Sequence, residues 1–124
     1  MPGSSGAPTV QVFGTPDSQA TRAALRFFKE RRIDVHFVDV SRKPMAPAEL
    51  RRFIDRLGAR AVADETSKAW REMGLGYLRM DDVELATRLL DDQRLLNIPL
   101  VRIENGVAAG RNEAAWRAAL VSSR

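Results

Sequence analysis

The sequence predicts an α/β domain with a mixed sheet. A β-α-β unit comes first, a β-β-α unit comes last, and helices are inserted between the two halves. Three observations carry that expectation. Two β-type runs, Val10-Gln11-Val12-Phe13 and Ile33 to Val40, flank a segment with the apolar spacing of a helix. The middle third of the chain repeats helical spacing without a strand. Near the end, Leu100-Val101-Arg102-Ile103 runs into Glu104-Asn105-Gly106-Val107, and Asn-Gly between short β runs is the strongest local hairpin signal.

The elements follow in order. Met1 to Pro8 reads as a short flexible tail of Gly, Ser and Pro, and residues 9–124 read as one domain. The first strand is closed by Gly14. Thr15-Pro16-Asp17-Ser18 is a turn and helix start, in which Asp17 or Ser18 accepts from the free N–H groups of the next turn. The helix runs to about Arg32, with Ala24, Leu25, Phe27 and Phe28 as its apolar stripe. Ile33 to Val40 alternates at period two, as a second strand does. The intervening length suits a right-handed parallel crossover.

After a loop from Ser41 to Ala46, Pro47 suits a first helical position and Gly58 a stop. Between them Leu50, Phe53, Ile54 and Leu57 share one buried face. A further helix is expected over about Asp64 to Met73, closed by Gly74. Another starts at Asp81 and Asp82 and carries Leu85, Ala86, Leu89 and Leu90. After the hairpin and Gly110, Asn112 caps a last helix with Trp116 and Leu120 on one face.

Composition excludes several kinds of chemistry. The chain of 124 residues has no cysteine, so it forms no disulfide, thiolate zinc site or iron–sulfur cluster, and it has no cysteine nucleophile. His36 is its one histidine, which excludes a metal site of several imidazoles; no metal is expected. No apolar run approaches the length of a membrane span, and Met1 to Pro8 lacks the features of a signal peptide, so a cytoplasmic location is expected. The net charge of +4 comes mostly from arginine, interleaved with acids and without aromatic spacing. That pattern does not favour direct nucleic-acid binding.

A β-α-β unit joined to a β-β-α unit is the arrangement of thioredoxin-like domains. Pro99 stands directly before a strand that would be central in that sheet, where proline removes a ladder donor. Thioredoxin-like proteins carry a cis proline at this place, opposite the start of the first helix, so Pro99 is the cis-proline candidate.

The chain resembles the small arsenate reductases and their relatives, the Spx-type transcription regulators and YffB-like reductases. In that family the first strand and helix read as an aromatic, two or three residues, Pro, one residue, Cys, three residues and Arg. Here the stretch is Phe13-Gly14-Thr15-Pro16-Asp17-Ser18-Gln19-Ala20-Thr21-Arg22. Arg60-Ala61-Val62, Lys68 to Leu75, Met80 to Leu85, Leu95 to Val101, and Gly110 to Trp116 are similar to later family segments. The resemblance implies that Ser18 stands at the place of the nucleophilic cysteine and Ile98 at that of the arginine before the proline. It also implies that Arg60 and Arg111 stand where the reductases bind an oxyanion; Arg22 remains as well.

Family chemistry needs a thiolate that attacks arsenic and then exchanges with another thiol. A helix N-terminus stabilises such an anion. A serine hydroxyl stays protonated at neutral pH without a strong base, and its oxygen cannot enter thiol–disulfide exchange. The expectation is therefore a redox-inactive relative acting as a binding or regulatory module. By resemblance to Spx-type proteins its partner is RNA polymerase or another protein. The alternative is a reductase that relies on an external thiol such as glutathione, with Ser18 orienting it. Ser18 and Arg22 lie four residues apart on one helix face, and free backbone N–H groups point to the same mouth, so a weak oxyanion site of Ser18, Arg22, Arg60 and Arg111 is expected.

Overall fold

A computed structural model describes residues 7–123. Most of the expected tail, residues 1–6, lies outside the described residues. The chain begins with β1 (Val10–Gly14), α1 (Gln19–Glu30) and β2 (Val35–Asp39). Then come α2 (Pro47–Leu57), α3 (Ala59–Val62), α4 (Lys68–Glu72) and α5 (Asp82–Asp91). It closes with β3 (Leu100–Ile103), β4 (Gly106–Ala109) and α6 (Glu113–Ser122). Single 3-10 turns occupy Leu75–Tyr77 and Gln93–Leu95.

The four strands lie in the order β2-β1-β3-β4. β1 and β2 are parallel, while β3 runs antiparallel to both β1 and β4. This is the mixed sheet expected from the sequence. Alternation sends Val10 and Val12 of β1, with Val101 and Ile103 of β3, to one face. There they meet Phe27 and Phe28 of α1 and Trp116 of α6. Phe13 and Leu100 point to the other face, where the inserted helices bring Leu50, Phe53, Leu85 and Leu89. The sheet thus separates two apolar layers.

Local chemistry explains the helix ends. Pro47 opens α2 and Gly58 closes it at φ 88, a conformation that costs glycine little. Asp81 caps α5 reciprocally with Glu84: the Asp81 carboxylate accepts from Glu84 N–H, and the Glu84 carboxylate accepts from Asp81 N–H. Asn112 accepts from Ala115 N–H at the start of α6. No helix among the described residues is long and apolar enough to cross a membrane.

Several boundaries differ from the sequence expectation. The helix expected over Asp64 to Met73 is shorter, only α4 (Lys68–Glu72), and α3 (Ala59–Val62) is a further short helix before it that was not expected. Asp64 itself turns the chain between them: its carboxylate accepts from both the N–H and the hydroxyl of Thr66. That local acceptor competes with helix continuation. The hairpin also turns one residue earlier than Asn-Gly. Ile103 pairs with Gly106, so Glu104 and Asn105 form the loop and Gly106 belongs to β4. Glu104 supplies the positive φ of 53. Pairing Val101 with Ala108 buries both in one layer, and that demand sets the register. β2 starts at Val35 rather than Ile33, and α1 ends two residues before Arg32.

Candidate functional site

Strand directions bring four connections to one end of the sheet. β1 and β2 finish there, β3 begins there, and β4 finishes there. Phe13 pairs with Leu100, so one further step along the register sets Gly14 level with Pro99. The Ile98–Pro99 peptide is cis, and Pro99 is buried. Gly110 N–H donates to the carbonyls of both Asn97 and Pro99, each at 2.9 Å. Asn97 N–H donates to Val62 O at 2.8 Å, which ties the end of α3 to the same segment. The backbones that carry Ser18, Arg60, Pro99 and Arg111 are therefore anchored around one end of the sheet.

Ser18 is the N-cap of α1. Its Oγ accepts from Thr21 N–H at 3.1 Å, and its carbonyl accepts from Arg22 N–H at 2.9 Å. Asp17 does not cap; it is exposed. No acidic residue occupies the first turn of α1, so the partial positive charge of this end is not offset from within the helix.

Each of the three arginines has a partner of its own. Arg22 folds back and donates to Pro16 O at 2.9 Å. Arg60 donates to Met80 O at 2.8 Å and stands 3.6 Å from the Glu65 carboxylate. Arg111 donates to the Glu113 carboxylate at 3.2 Å. Each guanidinium is held by an acceptor of its own, and none bonds to Ser18. The position before Pro99 holds Ile98, half-buried and uncharged.

Among the described residues no base is hydrogen-bonded to the Ser18 hydroxyl. His36 is exposed, pairs with Gln11 across the strands, and lies three residues short of the end of β2, about 10 Å along the strand. The nearer acid on that strand, Asp39, accepts from the N–H and hydroxyl of Ser41. Chemically the arrangement is a capped helix start with free N–H groups, an oxygen in the place of a nucleophile, and cations engaged locally. Trp70 and Trp116 are both core residues.

Sequence reasoning missed the support beneath this loop. Thr21 is fully buried, and its hydroxyl has no hydrogen-bond partner. A Cβ added to Gly14 would lie 2.3 Å from that Thr21 oxygen. Gly14 is thus required for close approach of helix and strand; the strand-ending glycine was the only visible signal. A Gly14→Ala variant is expected to lose about 1–3 kcal/mol of stability by overpacking. Denaturant unfolding measures this, and a loss below about 0.5 kcal/mol, the ordinary surface scatter, would show that α1 slides freely on β1.

The fold and this loop define a thioredoxin-like domain of the kind that places a thiol at the start of its first helix, here without the thiol. The sequence matches the ArsC family over residues 13–119, and the chain belongs to that family. It is 29% identical over 107 residues to the arsenate reductases of two Neisseria meningitidis serogroups, A and B, covering 84% of this chain and 92% of each of theirs. Among solved structures, a YffB protein superposes with a TM-score of 0.80 at 18% identity, covering 90% of this chain and 99% of that one. The arsenate reductase from Vibrio cholerae gives 0.76 at 21% identity, covering 90% and 98%. These likenesses show the fold. The chain has no cysteine anywhere, and Ser18 stands where family chemistry needs one.

Proposed function

We propose that this ArsC-family domain carries out no thiol chemistry and works as a binding module, in the regulatory manner of Spx-type proteins. Its partner on this reading is a protein, with RNA polymerase the first to test, and its place of action is the cytoplasm. The observation that carries the reading is Ser18: the one side chain at the reactive tip is a hydroxyl engaged as a helix cap, with no base hydrogen-bonded to it among the described residues. Arginines held by Pro16, Met80 and Glu113 agree with it, since an oxyanion would first have to release them. Any oxyanion held at the free N–H groups of α1 is then held weakly.

Two measurements test the proposal. Arsenate reduction coupled to glutathione is expected to proceed at the rate of the control without protein. A rate above that control would establish the external-thiol reductase instead, with glutathione as its co-substrate. Tagged protein in native lysate of its source organism is expected to retain RNA polymerase subunits. Their absence would end the polymerase form of the reading.

A further inference from the structure

A cleft of about 600 Å³ opens between the β2–α2 loop and the segment leading to Pro99. Val40, Pro44, Leu90, Leu96 and Ile98 give it an apolar lining. Its volume and lining are those of a small-molecule site. Ile98 extends the apolar lining to the residue before Pro99.

The walls are fastened to each other. The Gln93 side-chain amide exchanges two hydrogen bonds with the backbone of Met45, donating to its carbonyl and accepting from its N–H, each at 2.8 Å. This joins the β2–α2 loop to the turn after α5 and holds the cleft open without a ligand.

The polar part of the lining is biased in sign. Asp92 and Arg94 neutralise each other through two hydrogen bonds of 3.0 and 2.7 Å. The hydrogen bonds from Arg94 hold the Asp92 carboxyl below the usual carboxylate range, against the opposing effect of burial. Asp91 is left over. It lines the cleft, makes no ion pair or side-chain hydrogen bond among the described residues, and is the last residue of α5. A helix C-terminus carries partial negative charge, so an acid there adds to that charge. Arg42 and Lys43 are exposed and do not line the cleft.

We infer that this cleft binds a small amphiphilic cation, with its apolar body on Leu90, Leu96 and Ile98 and its ammonium group at Asp91 and the carbonyl end of α5. The apolar lining supplies affinity, and the unpaired carboxylate supplies preference for one head group. Thr15 also lines the cleft and its carbonyl accepts from Ser18 N–H, so the cleft adjoins position 18. It makes no use of the Ser18 hydroxyl, so arsenate turnover by the chain would leave the inference standing.

Three probes of equal chain length separate these contributions: octylammonium, octanol and octanoate, titrated into the full chain and followed by backbone amide shifts. Shifts are expected at Val40, Leu90, Leu96 and Ile98. Octylammonium should bind about three- to tenfold more tightly than octanoate, the order expected of one exposed charge contact reinforced by a helix end, with octanol between them. Asp91→Asn, at an exposed position, should shrink that preference while leaving octanol binding unchanged. Ile98→Arg should weaken octylammonium at least about tenfold, a change of one decade in affinity. The assignment fails if octanoate binds as well as octylammonium, if shifts are absent from these amides, or if Asp91→Asn keeps the full preference.

Discussion

Ser18→Cys is expected to produce a thiol that ionises at least about one unit below the ordinary cysteine value near 8.5. The sulfur would take the place of the Ser18 oxygen, which receives the Thr21 N–H and sits at the start of a twelve-residue helix. Both features stabilise an anion, and no acid in the first turn of α1 offsets them. At neutral pH the thiolate fraction would then rise by roughly tenfold over an unperturbed cysteine. Ultraviolet thiolate absorbance against pH reads the shift directly, and alkylation rates check it. A thiol titrating at or above the ordinary value would show that the cap N–H does not reach position 18 in solution. The same variant is expected to reduce arsenate poorly, because Ile98 supplies no cation and Arg60 and Arg111 are held by Met80 and Glu113.

The largest stability effect belongs in the apolar layer between α1, α6 and the sheet. Trp116→Ala is expected to cost about 3–5 kcal/mol, the range for emptying a large aromatic site in a core. Trp116 is completely buried, and its ring centre lies 5.2 Å from that of Phe27 and 5.9 Å from that of Phe28. These three rings join α6 to α1. Little else of α6 is buried, because Trp116 is its one fully covered residue. The melting temperature should fall by roughly 10–20 °C for a domain of this size. Trp116→Phe should cost less, since the indole N–H has no hydrogen-bond partner to lose. A cost below about 1 kcal/mol for Trp116→Ala, far under the cavity range, would mean that the α1–α6 layer repacks without it.

Much of the fold was legible because several signals agreed at the same residues. Pro47, the Leu50-Phe53-Ile54-Leu57 spacing and Gly58 all indicate one helix, and α2 has those bounds. Asp81 with Glu84, and Asn112, likewise mark true helix starts. Where a single signal stood alone it misled. Asp64 is a good helix starter in isolation, yet its carboxylate turns the chain at Thr66, and the helical pieces on either side are held by tertiary packing. Asn105-Gly106 is a good turn in isolation, yet burial of Val101 and Ala108 set the pairing one residue earlier. At the candidate site the backbone positions of Ser18, Pro99 and Arg111 followed from strand order. The partners of the guanidinium groups did not, because long side chains choose among nearby carbonyls that sequence spacing leaves undetermined.

The Ser18 cap also bears on the direction in which such a site can drift. Serine ranks with asparagine and aspartate at the head of the helix caps, so a cysteine at this tip would exchange a favoured end group for a poorer one. Loss of the nucleophile and firmer anchoring of the helix then go together, and a lineage that has made this change meets an uphill step on the way back.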